Sequence, residues 1–383
     1  ELELYIHIPF CVRKCSYCDF LSAPATEQTR EAYMAALFAE IGGRAKDYSD
    51  RTVTSIFIGG GTPSLLSGEQ IGQLMDRIRE QFAMAQDAEI TMEVNPGTVS
   101  AEKLRNFYTA GINRLSIGMQ SAQAEELKNL GRIHDFEGFC QVYREAVEAG
   151  FTNINVDIMS GLPGQTLASY RDTLEKVLHL EPMPQHISAY SLIVEEGTPF
   201  AAMAERGELP LPEEETERAM YEETIEVLAK YGFHRYEISN YARDGYECRH
   251  NVGYWIRRDY LGFGIGAASL IDNVRFQNEK SLGAYLAHPL ESREEEQTLT
   301  VQDRMEETMF LGLRLTRGVS CVDFAEQYGR TVEEVYGEVI ARNVADGLLT
   351  VTERKENQKK DRLLALTKRG LDLSNYVMAQ FLF

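Results

Sequence analysis

The segment YIHIPFCVRKCSYCDF (residues 5–20) runs an apolar, β-branched strand straight into three cysteines, Cys11, Cys15 and Cys18, spaced C-x3-C-x2-C. The other three cysteines, Cys140, Cys248 and Cys321, are scattered, so no second close pair completes the four-ligand set of structural zinc. Zinc would have to recruit His7 or Asp19. A cubane [4Fe-4S] cluster on three thiolates instead keeps one iron open to a further ligand. Crowded thiols in a long acidic chain therefore point to a metal or cluster at a strand end, and not to a disulfide framework.

Working outward, further strand-like runs follow: VTSIFI, AEITMEV, RLSIGM, NINVDIM and HISAYSLI, after the first run LELYIHI. Amphipathic stretches separate them, at Glu27 to Tyr48, Gly68 to Phe82, Ala101 to Ala110, Phe136 to Ala149 and Leu167 to Leu180. A series of βα units either winds into a barrel or forms a doubly wound open sheet. The unusual residues gather at many strand ends: the cysteines after the first, GGGTP after the second, Glu93 and Asn95 at the third, Gln120 after the fourth, Asp157 at the fifth. An open sheet collects ligands at one switch point, whereas a barrel collects them on its C-terminal face. The expected fold is thus α/β, an incomplete (β/α)6 TIM-like barrel over residues 1–232, open enough for a large substrate.

Beyond it, residues 233–300 read as a connecting α+β segment in which YEISNYA, YECRHNVGYW and YLGFGIGAASL form strands and loops. Residues 301–383 read as a C-terminal helical, winged-helix-like domain, with a hairpin in GLLTVTERKENQKKDRLLALT. The helix in the recognition position has no basic excess, so a packing or docking role is expected of it.

The 383 residues carry 59 acidic against 39 basic side chains, a formal net charge of −20. Such a balance argues against nucleic acid as a partner, because phosphate binding relies on lysine and arginine. No run of roughly 18 apolar residues and no signal-peptide pattern occurs, so the chain reads as cytoplasmic. It begins with Glu1, not Met, which leaves a preceding segment open.

IFIGGGTPSLL places bare backbone after a strand, where it can approach a ligand closely, yet it lacks the lysine of a phosphate-binding P-loop. Taken alone it is an ordinary βα turn. Together with YIHIPFCVRKCSYC, MEVNPGT, SIGMQS, LGRIH and VDIMSGLPGQT, it resembles the radical S-adenosylmethionine enzymes, in the branch of the oxygen-independent coproporphyrinogen oxidases (HemN) and their relatives. The resemblance implies that Cys11, Cys15 and Cys18 hold a [4Fe-4S] cluster. It also implies that Tyr5, Tyr17, Gly60, Gly61, Thr62, Glu93, Gln120, Arg132 and Asp157 contact S-adenosylmethionine, whose amino and carboxylate groups chelate the fourth iron. In that superfamily, reducing the cluster can cleave the cofactor to a 5′-deoxyadenosyl radical.

Within the branch, the oxidases extend the triad to C-x3-C-x2-C-x-C, whereas this chain has Phe20 at the last position and shows the CDF of the HemW-type haem chaperones. CRHNVGYW also matches their H-N-x-x-Y-W string, which implies a haem site involving His250, Tyr254 and Trp255. Histidine can ligate haem iron and aromatic rings can pack on a porphyrin; a structural histidine in an aromatic cluster is the competing reading. Cys248 and His7 are further candidate iron ligands. The expected activity is haem binding and delivery to acceptor haemoproteins such as respiratory enzymes, which can place the protein at a membrane through its partners. No catalytic residue is assigned. The alternatives are oxidative decarboxylation of coproporphyrinogen III and a zinc-structured DNA-binding regulator.

Overall fold

A computed structural model describes residues 1–291, 293–356 and 359–383. Six parallel strands form in sequence: β1 (Leu2–Ile8), β2 (Thr52–Gly60), β3 (Ala83–Val94), β4 (Arg114–Gln120), β5 (Ile154–Ser160) and β6 (His186–Ser191). They pair in the order 1-2-3-4-5-6, with no reversal and hence no single switch point. Between them run α1 (Glu27–Arg44), α2 (Gly68–Gln81), α3 (Ala101–Thr109), α4 (Ala124–Leu130), α5 (Phe136–Ala149) and α6 (Leu167–Leu178). Helix starts follow local chemistry. The side chains of Thr26, Ser67, Ser100, Asp135 and Thr166 each accept from a backbone N–H of the first turn, contacts typically worth about 1 kcal/mol apiece.

Strand parity separates two faces. In β1, Leu2, Leu4, Ile6 and Ile8 are buried and join the apolar core beneath α1. Glu3, Tyr5 and His7 take the alternate positions and face the concave side. The same alternation sets Leu115, Ile117 and Met119 of β4 in the core, while Arg114, Ser116, Gly118 and Gln120 line a cavity.

The sheet does not close; it grows at both edges. After β6 come α7 (Pro199–Glu205), α8 (Glu214–Lys230), β7 (His234–Arg235) and β8 (Asn240–Ala242), and β8 pairs antiparallel with β6. A short helix, α9 (Arg249–Trp255), follows, and then β9 (Tyr260–Phe263), which pairs parallel with β1. β10 (Ala268–Ile271), β11 (Val274–Asn278), α10 (Leu282–Ala287) and β12 (Arg293–Thr298) complete this flank, giving a 12-stranded open sheet. One sequence expectation is overturned here: HNVGYW is helical, not strand or loop. Apolar periodicity could not show this, because its buried residues meet polar partners on the concave face.

A second apolar core gathers residues between Met305 and Phe381. Its elements run α11 (Val301–Gly312), β13 (Val319–Ser320), α12 (Cys321–Tyr328), α13 (Val332–Ala345), β14 (Leu349–Glu356) and β15 (Lys359–Leu366), followed by α14 (Lys368–Asp372) and α15 (Ser374–Ala379). Helix–strand–helix–helix–hairpin is a winged-helix order, with β15 central in the small sheet. The tip of the expected hairpin, 357–358, lies outside the described residues.

Candidate cluster and cofactor site

The loop between β1 and α1 is pinned at its base by Cys11 N–H to Ala23 O and Ala23 N–H to Pro9 O. Its middle is tied across the sheet mouth: Ser16 N–H donates to Leu130 O, Phe200 N–H to Ser16 O, and Arg13 Nη2 to Gly131 O at 2.6 Å. Cys11, Cys15 and Cys18 are free, partly exposed, and line one cavity of about 460 Å³. That volume lies within the range of roughly 300–1,000 Å³ usual for small-ligand sites.

Neighbouring strand ends supply the rest of the wall. Gly61 N–H donates to Ile8 O at 2.9 Å, and a Cβ on Gly61 would come within 2.7 Å of Phe10 O, so the chain passes here only as bare backbone. Thr62 Oγ1 donates to Cys11 Sγ at 3.6 Å and accepts from Asn95 Nδ2 at 3.1 Å. Glu93 Oε2 accepts from Gly60 N–H at 3.0 Å. Gln120 has a φ of 69° where the β4–β5 register shifts, and its Oε1 accepts from Tyr190 Oη at 3.0 Å. A non-glycine residue in left-handed backbone at a strand irregularity is strain of the sort that aims side chains at a site. Arg132 Nη2 donates to Gly118 O at 2.7 Å and to Asn95 Oδ1, while Nη1 reaches Cys15 Sγ at 3.8 Å. Asp157 accepts from Ser116 Oγ and, at 2.6 Å, from Asn155 Nδ2.

Burial, with a contribution from Asp157, pushes Glu93 up to about 8, despite the Gly60 N–H that favours its charged form. Burial also raises Asp157. For Arg132 burial acts downward, but the surrounding Tyr17 and Cys15 outweigh it and hold the guanidinium above its ordinary value. The site therefore combines a fixed cation at the thiols with two buried carboxyls, of which Glu93 is the one that a cationic ligand would ionise near neutral pH.

Tyr17, Gly60, Gly61, Thr62, Glu93, Gln120, Arg132 and Asp157 all line this cavity, together with the three cysteines. Tyr5 does not; it lines a neighbouring one. Three thiols on one cavity wall are a donor set that suits a cubane, which takes each thiolate at a separate corner. Arg132 Nε is buried with no partner among the described residues, a donor left over at the same wall.

Sequence reasoning missed the floor of the cavity: Arg114, Ser116, Asn155, Ser188, Asn240 and Asn251. Arg114 is 2% exposed and its Nε is unpartnered among the described residues. The alternation within RLSIGMQ, with Arg114, Ser116 and Gln120 on one face, carried that signal.

The H-N-x-x-Y-W string is split by α9. Asn251 faces the cluster cavity, whereas Tyr254 and Trp255 line a second cavity of about 610 Å³. His250 lines neither. It is 1% exposed, its ring stacks on Phe57, Nδ1 pairs with Ser55 Oγ at 2.9 Å, and Nε2 pairs with Tyr254 Oη at 3.1 Å. Both nitrogens of His250 are thus engaged inside the protein in this conformation. Cys248 is likewise buried, its Sγ at 3.5 Å from Glu89 Oε1. His7 lines the second cavity, with Nδ1 near Tyr5 Oη and Nε2 at 2.8 Å from Leu21 O.

Burial, with Arg114 assisting, lowers His250 to about 3. Its neutral form is thus favoured in the fold, and the unfolded chain binds the extra proton. The stability this contributes is present above pH 6.5 and is lost as pH falls toward 3. His250→Ala is expected to be less stable by roughly 2–5 kcal/mol at pH 7, from the cavity and the hydroxyls left unpaired. That gap should narrow by about 2 kcal/mol at pH 5, measured by urea unfolding of both proteins. A gap independent of pH would show that His250 is not held neutral.

Residues 5–177 match the Radical SAM superfamily, and residues 299–373 match the HemN C-terminal domain. The heme chaperone HemW of Bacillus subtilis is 38% identical over 99% of this chain and 98% of its own length. That of Escherichia coli is 37% identical over 91% and 92%. The solved coproporphyrinogen III oxidase HemN of Escherichia coli, a radical SAM enzyme, superposes with a TM-score of 0.85 at 28% identity, over 99% of this chain and 89% of that one.

Proposed function

This chain belongs to the HemW family within the radical S-adenosylmethionine superfamily, and on that premise we propose that it is a haem chaperone that binds haem and transfers it to acceptor haemoproteins. The observation that carries this reading is the near-complete, end-to-end correspondence with heme chaperones at 36–38% identity. Phe20 supports it: at 61% exposure it stands at the cavity mouth, where the oxidases resembled by this chain have a further thiol.

Cys11, Cys15 and Cys18 would hold a [4Fe-4S] cluster, and the eight residues around them, with Tyr5 behind, would hold S-adenosylmethionine. When bound, this pair supplies one-electron reduction chemistry. The chain's own residues bind and orient: Thr62 and Arg132 donate toward thiol sulfur, and Glu93 and Asp157 offer carboxyls to a positively charged ligand. Gly60 and Gly61 keep side chains out of its way.

The acceptors we infer are haemoproteins such as respiratory enzymes. We place the protein in the cytoplasm, where it would reach membrane acceptors through contact with them; no described helix is long and apolar enough to cross a membrane. The acidic helix α13, with Glu333, Glu334 and Glu338, supports docking and not duplex binding.

The test is anaerobic reconstitution with iron and sulfide, followed by haem titration, transfer to an apo-haemoprotein, and a parallel coproporphyrinogen III assay with S-adenosylmethionine and reductant. A stable haem complex that loads the acceptor, with no vinyl-bearing product, is expected. Product at enzyme-like turnover overturns the chaperone reading.

A further inference from the structure

Arg114 opens β4 at the bottom of the cluster cavity, on the strand face it shares with Ser116 and Gln120. Gln120 stands at the rim, six residues further on and therefore roughly 20 Å away along the strand. Arg114 is 2% exposed, and a guanidinium so deeply buried is ordinarily held by a carboxylate, because water no longer stabilises its charge. Here that partner is missing. Among the described residues Arg114 makes no ion pair, Nε has no acceptor, and its one side-chain hydrogen bond runs from Nη1 to Thr91 Oγ1 at 3.5 Å, a long contact.

The two carboxylates that act on Arg114 through space are committed elsewhere. Glu89 accepts from Arg249 N–H at 3.1 Å, from His250 N–H at 3.2 Å and from Cys248 Sγ at 3.5 Å. Asp157 accepts from Ser116 and Asn155. Arg132, the other buried cation of the cavity, differs in both respects: it lies beside Cys15 and donates to Gly118 O and Asn95. The floor around Arg114 is open in a complementary way. Asn240 gives its amide N–H to Glu237 at 2.7 Å, which leaves Oδ1 buried and without a donor, and Asn251 faces the same cavity from α9.

We infer that this floor is a second binding site, for a small organic acid that also carries a hydroxyl. The carboxylate sits on Arg114, where an anion is the partner the fold does not provide, and the hydroxyl donates to Asn240 Oδ1. A single guanidinium among neutral amides suits one negative charge; the second charge of a phosphate would face Glu89 and Asp157 unopposed. The cofactor residues line the same cavity nearer its mouth, so the space left at the floor suits a small molecule and not a macrocycle. The inference goes beyond haem handling and does not depend on it.

The test uses the full chain, reconstituted with iron and sulfide and saturated with S-adenosylmethionine, so that a hydroxy acid has no open iron to chelate. Lactate, lactamide and propionate are titrated into it and followed by their own NMR signals; lactamide keeps the shape of lactate without its charge, and propionate lacks the hydroxyl. Lactate should bind the parent at least ten-fold more tightly than lactamide, the difference for a hydrogen bond to a charged group, and about two- to ten-fold more tightly than propionate. Arg114→Gln removes the cation and Asn251→Asp puts a carboxylate on the floor. Each should weaken lactate at least ten-fold, with the visible absorption of the cluster verifying that the variant is folded. If the parent binds no lactate, or binds lactamide equally well, the floor is not an anion site. Lactate affinity that both variants retain in full also overturns the inference.

Discussion

Replacing Cys11, Cys15 and Cys18 together by serine should leave a folded protein that stays colourless after anaerobic reconstitution with iron and sulfide. None of the three belongs to an apolar core, all are partly exposed, and their loop is held by backbone hydrogen bonds that serine preserves. Stability should therefore change by no more than about 0.5 kcal/mol, as for surface substitutions away from packed features. The cluster signal should vanish altogether, because no second group of thiols stands nearby to take over. Cys140→Ser and Cys321→Ser, made in parallel, should retain full colour and iron. S-adenosylmethionine should bind the triple variant at least ten-fold more weakly, since the open iron is part of its site while Glu93, Arg132 and Asp157 remain. Iron and sulfide retained in full by the triple variant would remove the cysteines from the site.

The barrel core was legible because two periods agreed along it. LELYIHI and RLSIGMQ alternate, and most of the helices between the strands open on a residue whose side chain caps them, as Ser67 and Thr166 do. Phe136–Ala149 has both a capping Asp135 and a closing Gly150 in left-handed backbone, and its expected bounds match those observed. Helix α4 was not legible: it spans seven residues and Gln123 makes no side-chain cap. The residues at strand ends were readable as a group, since parallel strands in consecutive order bring every βα junction to the same rim. What failed was α9, because a helix inside a concave polar face shows no apolar stripe. The surroundings of His250 were hidden for the same reason: a sequence shows a histidine beside aromatics, but not the Ser55 and Tyr254 hydroxyls, from 195 and 4 residues away, that meet its nitrogens. The second cavity was equally hidden, since Tyr5, Trp255, Arg275 and Leu311 are brought together only when β9 pairs with β1 and α11 packs on α9.

Glu93 gives the second large effect. With its carboxyl pushed up to about 8 by burial, the unliganded protein holds a proton there at pH 7 that an ordinary glutamate would have lost. A positively charged ligand binds the ionised form, so binding expels the proton and affinity rises with pH. The dissociation constant of S-adenosylmethionine should fall by roughly fifty-fold from pH 6 to pH 8 and level off above, and calorimetry at pH 7 in buffers of different ionisation enthalpy should register release of about 0.9 proton per ligand. The sign for folding is opposite. A raised carboxyl contributes stability below pH 4.5 that is lost as pH climbs through 8, so the unliganded protein should gain most from the cofactor at alkaline pH. Glu93→Gln keeps the size and the Gly60 contact but cannot ionise; it should bind the cofactor weakly at every pH, without proton release. If the parent shows no release at pH 7 and a flat affinity profile, Glu93 is already ionised in the free protein and the cavity does not select its ligand by this charge.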